Sequence, residues 1–392
     1  MTVHVEEDMI DLCQYFGADS ELLREYELRP QRVSLVGGAL KVGTDRQTVF
    51  IKRPSCSAQR LGQIFAQVEQ LAAGGLRVPR FMPTKYGDPF VVREEGNFYV
   101  LPKLVGGTPQ LGRESVFMTA IDALARWHRL AKARPGELIS LFRIDVARVF
   151  LHARTEIETF REQALLRTET TEFDGLFLEV REQLERQVMQ AVAQLHWADY
   201  KRLCLQAYQT GELCHGRFVR SNLLYREQDM AILDHDHMHQ GTQMLDLAAF
   251  LRRYAVRFSW DVRIVAKALA VYQEVRPLTA LEVSVLYALL LFPEGVLRVL
   301  AWYYEERRGF PEDDFLDALE QELEWELARA GTLVELFGAP TTEAFGHSDF
   351  SLFLNQPDQA EAEEPAPNAS ATKGDEGRSS HVLARLWRKY RP

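Results

Sequence analysis

The stretch Cys214–Leu251, CHGRFVRSNLLYREQDMAILDHDHMHQGTQMLDLAAFL, decides how the rest of the chain is read. It opens on His215-Gly216, places Asn222 seven residues after the histidine, and runs through the apolar Ala231-Ile232-Leu233 to Asp234. It closes on Asp246-Leu247-Ala248 at the head of an amphipathic run. A loop spelled H-x-D-x-x-x-x-N, followed by an aspartate at a strand end, is the layout of a phosphoryl-transfer site. Such a site needs oxygen ligands for magnesium; Asn222 offers an amide oxygen and Asp234 a carboxylate. It also needs a carboxylate to take the proton of the acceptor hydroxyl, and the residue at that position is Arg217. A guanidinium carries only donors and stays protonated, so it cannot be that base. General-base help contributes about 10²–10⁴-fold. Its loss cripples transfer without abolishing nucleotide binding.

Upstream, Arg32–Asp45 (RVSLVGGALKVGTD) and Gln47–Arg53 (QTVFIKR) read as strand sequence, the first carrying Gly37-Gly38 and the second ending near Lys52. A strand lysine after a glycine-containing hairpin is placed to meet nucleotide phosphates. The spacing of Leu61, Ile64, Phe65, Val68 and Leu71 predicts a helix over 58–73, stopped by Gly74-Gly75. Glu69 is the acidic residue of that helix and the expected partner for Lys52. Phe81–Leu104 reads as a hairpin turning at Glu95-Gly96-Asn97, and 102–107 as the connector to a second lobe. From Arg113 onward the periodicity is helical, with His128 near an apolar face as a packed or hydrogen-bonded core residue. Thr279 with Glu282 predicts a capping box. Asp246 is expected to cap its helix and brace the loop.

The 392 residues are 46% hydrophobic, enough for one large or two ordinary domains with real cores. A formal charge of -10 argues against nucleic acid as partner. The N-terminus is acidic and lacks the apolar run of a signal peptide. Val283–Tyr304 is the most apolar stretch, but Pro293, Glu294 and Arg298 interrupt it, which predicts buried helices and no transmembrane segment. Four scattered cysteines point to a reduced, intracellular setting. Residues 346–380, rich in Ala, Glu, Pro, Ser and Gly, are expected to be disordered. The tail 381–392, HVLARLWRKYRP, is basic and amphipathic, a docking element for a partner or an anionic surface or else an inert end.

FIKR around Lys52, VPRFMPTKYGDPFV, LARWHRL, LCHGRFVRSNLL, AILDHD, DLAAFLRR and the run from Leu278 stand together over residues 8–340. In this combination the chain resembles the aminoglycoside/choline phosphotransferase-like kinases, and within them the spore-coat-associated, CotS-type family of endospore-forming bacteria. The resemblance implies an α+β, protein-kinase-like fold of two lobes. The first, residues 1–102, is a small, mostly antiparallel β lobe with one helix that binds nucleotide; the second, 103–345, is larger, helical and carries the catalytic-like loop. It implies ATP between the lobes, with Lys52, Glu69, Asn222 and Asp234 on the cofactor side. Mg2+ would lie at Asn222 and Asp234, and His215 would position the loop. It also implies other spore-coat proteins as partners and a place in the mother-cell cytoplasm or the spore coat. Two departures accompany it: Arg217 replaces the catalytic aspartate, and Val219 stands where the family places a second histidine.

Three readings follow. The first is a pseudokinase acting in coat assembly, in which Arg217 is either drift or a cation beside the terminal phosphate. The second is an active small-molecule phosphotransferase with a displaced base, for which Asp236 is the substitute candidate. The third uses His235, His237 and His239, which alternate and would share one face of a continuing strand, as a zinc or iron site.

Overall fold

The turn of the first β-hairpin is written by two glycines. Gly37 and Gly38 both have left-handed backbone, φ 57° and 76°. That is what a two-residue hairpin turn demands and what glycine adopts without penalty. The turn joins β1 (Arg32–Val36) to β2 (Ala39–Gly43), with Val36 opposite Ala39. The 32–45 stretch is therefore a hairpin and not one strand. The computed structural model describes residues 7–133, 146–195, 197–305 and 311–338; the segment 346–380 and the tail 381–392 lie outside them.

Two short helices, α1 (Glu7–Phe16) and α2 (Ser20–Glu25), precede the hairpin. β3 (Thr48–Lys52) follows it, then α3 (Ala58–Ala73), β4 (Val91–Arg93) and β5 (Gly96–Pro102). The five strands form one antiparallel sheet in the order β1-β2-β3-β5-β4. The period-two pattern of β3 sends Val49 and Ile51 to one face and Lys52 to the other. Val49 and Ile51 join Leu40, Val42, Phe98 and Val100 in a core closed by Leu22 of α2 and by Tyr26 just after it. Each such buried side chain stabilises by roughly 2 kcal/mol. The opposite face carries α3, whose Leu61, Ile64, Val68 and Leu71 are buried. Phe81 stacks there on Tyr99 at 4.2 Å. The β4–β5 turn lies one residue earlier than its glycine suggested: Arg93 pairs with Gly96, so Glu94 and Glu95 make the corner.

The second lobe is helical: α4 (Glu114–Leu130), α5 (Val146–Leu166), α6 (Glu172–Leu195) and α7 (Trp197–Thr210). Next come β6 (Leu213–Cys214), β7 (Leu223–Arg226), β8 (Asp229–Ile232) and β9 (His239–Gln240). The helices α8 (Met244–Tyr254), α9 (Val262–Val275), α10 (Ala280–Leu291), α11 (Glu294–Tyr304) and α12 (Glu312–Phe337) complete it. α10 opens with the reciprocal Thr279–Glu282 capping box. Among the described residues one stretch, Ala280–Tyr304, has the length and apolarity of a membrane span. It is two helices divided at Phe292-Pro293, and 72% of its most apolar window is buried inside the protein. It is a core element.

Candidate active site

A small hairpin brings the two ends of the decisive stretch together. β7 and β8 pair with Leu223 opposite Ile232, and Glu227-Gln228, both left-handed, make the turn. Leu233 N then donates to Asn222 O at 2.8 Å. The register sets Asn222 beside Asp234, and Asn222 Nδ2 lies 3.3 Å from Asp234 Oδ2. Asp234 itself sits in the left-handed region, φ 63° and ψ 68°. A non-glycine residue there is uncommon, and aspartate is among those that tolerate it.

The loop before Asn222 is held from beneath. His215 is buried; its Nε2 meets Leu233 O at 3.0 Å and its Nδ1 accepts from Arg217 N at 3.2 Å. Burial lowers its pKa, so the ring is neutral and serves as a brace. Asp246 accepts from His215 N at 2.6 Å and from Gly216 N at 3.0 Å. His128 Nε2 lies 3.2 Å from the same carboxylate, and His128 Nδ1 2.7 Å from Tyr272 OH. Burial alone would raise the Asp246 carboxyl, but the hydrogen bond from His128 holds it below the ordinary value. Asp246 therefore braces the loop without capping the helix: the N-cap position is Gln243, and Asp246 is the third helical residue. Gly216, φ 76°, cannot be replaced cheaply, because a Cβ there would stand 2.4 Å from His237 O.

Lys52 reaches the same place from β3. Its ammonium pairs with Asp234 Oδ1 and with Asp236 Oδ2. Burial would lower its pKa, but the two aspartates outweigh it and keep the ammonium charged. Asp236 Oδ1 accepts from Tyr99 OH at 2.5 Å. Tyr99 is Lys52's cross-strand neighbour, and no motif marks it; only the strand pairing brings it to the lysine. Arg217 also comes to the cleft. Its side chain is 56% exposed, with Nη1 3.9 Å from Asp234 Oδ2 and 3.3 Å from His237 Nε2.

Two expectations are corrected, those for Glu69 and for the three histidines. Glu69 does not pair with Lys52; it forms a two-pronged ion pair with Arg80, one arm at 2.9 Å. The residue of α3 that faces this site is Arg60, which donates to Met238 O. Nine residues separate the two, about 180° around a helix, so Glu69 is on the far side. Asp236, the substitute-base candidate, has both oxygens engaged by Lys52 and Tyr99. The three histidines do not share a strand face, because His235–His237 is a 3₁₀ turn. His235 is buried against Trp127 and His215, its pKa pushed by burial down to about 3, and His239 lies on β9. Among the described residues no group of three or more His, Cys, Asp or Glu is arranged for a metal ion.

The donor set bears on magnesium. Both Asp234 oxygens face nitrogen donors, from Lys52 and Asn222, and the Asp236 oxygens accept from the Lys52 ammonium and the Tyr99 hydroxyl. Asn222 turns its NH2 toward Asp234. As arranged, these residues do not fit a divalent cation: the ammonium of Lys52 holds the place between the carboxylates.

The family described as Spore coat putative kinase YutH has a model that matches residues 19–333, and the chain belongs to that family. Among solved structures it is similar to an aminoglycoside phosphotransferase from Alicyclobacillus acidocaldarius subsp. acidocaldarius, at 22% identity and TM-score 0.71, over 80% of this chain and 93% of that one. It is similar to the AMP-bound spectinomycin phosphotransferase APH(9)-Ia at 15% identity and TM-score 0.54, over 79% and 96%. It is similar to amicoumacin kinase hAmiN, in complex with AMP-PNP, at 12% and 0.52, over 83% and 96%. These likenesses establish the two-lobed phosphotransferase fold.

Proposed function

We propose that this chain works in the spore coat as a pseudokinase: its cleft binds a nucleoside triphosphate and does not pass the phosphate to a hydroxyl acceptor. One observation carries the reading. At the loop position of the proton-accepting carboxylate stands Arg217, its guanidinium 3.9 Å from Asp234 and directed into the cleft. It has no lone pair to receive a proton. Asp236 could take over only by giving up its contacts to Lys52 and Tyr99. Nucleotide binding is supported by the Lys52 ammonium beside Asn222 and Asp234, and by two fold neighbours described with bound AMP and AMP-PNP. The coat location follows the family description, and other coat proteins are the partners proposed with it.

The test pairs binding with turnover. The purified chain is melted with and without ATP, then incubated with ATP, Mg2+ and a panel of hydroxyl compounds. We expect a rise in melting temperature, since a ligand at a hundredfold excess over its dissociation constant stabilises by about 2.7 kcal/mol, and no transfer above background. Metal-dependent transfer that disappears in Asn222→Ala would overturn the reading. Transfer untouched by Arg217→Asp but abolished by Asp236→Asn would mark an active enzyme with a displaced base.

A further inference from the structure

The charge of the cleft differs from that of a site built around metal. Lys52, Arg217 and Arg60 contribute three positive charges, and Asp234 and Asp236 two negative ones, a balance of +1. An aspartate at position 217 would leave two positive charges against three negative, a balance of −1. Glu69, drawn away to Arg80, adds nothing to the cleft. In phosphoryl-transfer sites the divalent cation bridges phosphate oxygens and neutralises their charge. A cleft whose own cations outnumber its carboxylates needs no such bridge to hold a polyanion.

The liganding atoms point the same way. Lys52 sits between the carboxylates that would chelate a cation, and Asn222 presents its amide hydrogens. Arg217 is half-exposed and holds Asp234 only at 3.9 Å. An exposed pair of this kind is worth about 0–1 kcal/mol, so a phosphate, which a guanidinium can grip with two parallel hydrogen bonds, would compete for it.

We infer that the cleft takes its nucleoside triphosphate free of divalent metal, with Lys52 and Arg217 as the counter-ions. The inference rests on the nucleotide-binding reading above. Its test is titration calorimetry of the full chain with ATP, once in excess EDTA and once in Mg2+. The expected dissociation constants agree within about threefold. For Arg217→Asp, binding in EDTA should weaken by about tenfold or more and recover when Mg2+ is added; Arg217→Lys should keep metal-free binding. The exposed side chain makes misfolding an unlooked-for result, and the ligand-free melting temperature of each variant checks it. Binding seen in Mg2+ alone overturns the inference and leaves the nucleotide reading standing. Binding in neither buffer removes the nucleotide reading and the inference with it. Equal binding in EDTA by the wild-type chain and Arg217→Asp overturns the role given to Arg217.

Discussion

Replacing Asp246 by asparagine should cost more than an isosteric change suggests. Three N–H groups converge on this carboxylate: His215 N at 2.6 Å, Gly216 N at 3.0 Å and His128 Nε2 at 3.2 Å. Asparagine has one acceptor oxygen. If it stays with His215 and His128, the new NH2 faces Gly216 N, donor against donor. Losing that part-buried bond to a charged acceptor costs about 1–3 kcal/mol, and removing the charge weakens the two remaining bonds by about 1 kcal/mol each. The sum is about 3–5 kcal/mol, a large part of the ~5–15 kcal/mol that holds an ordinary protein folded. The assay is urea unfolding followed by circular dichroism at pH 7.5, with hydrogen exchange at the His215 and Gly216 amides. Exchange at both should accelerate. A loss below about 1 kcal/mol with unchanged exchange would refute the bracing role.

Stability should fall as the solution is acidified below the ordinary histidine range. His128, His215 and His235 all have pKa values lowered by burial, His235 to about 3, so each stays neutral in the fold and takes up a proton on unfolding. Their contribution is full above about pH 6.5 and is lost as pH drops toward the folded values, at roughly 1.4 kcal/mol per pH unit for each histidine. Asp246, with its pKa lowered, works lower down: its contribution is present above the unfolded value and disappears as pH falls through the folded one. Urea midpoints flat between pH 7 and pH 5 would contradict this. Glu69→Ala, which removes a partner of Arg80 on the far side of α3, should leave the ATP dissociation constant within about twofold of wild type. Lys52→Met should weaken binding by at least about tenfold, by the same calorimetry.

How far the sequence reached depended on distance along the chain. The hairpin glycines, the capping box and the spacing of His215, Arg217 and Asn222 are local, and the structure shows these as a turn, a cap and one loop. Asn222 and Asp234 are twelve apart, and one two-residue turn brings them together. The histidine alternation misled because it assumes an extended chain, whereas left-handed Asp234 ends the strand and starts a 3₁₀ turn.

By itself the sequence determined that Arg217 stands at the loop position two residues after His215, because residue type at a fixed spacing settles whether that side chain can accept a proton. It also determined that Lys52 lay on a strand, because alternation is a one-dimensional pattern. Only the tertiary structure decided what Lys52 meets. Asp234 and Asp236 lie 182 and 184 residues away from it, and Tyr99 comes from a neighbouring strand. It also decided that Glu69 looks away from the cleft and Arg60 toward it, since the rotation of a helix about its axis is set by what it packs on, and periodicity leaves that open.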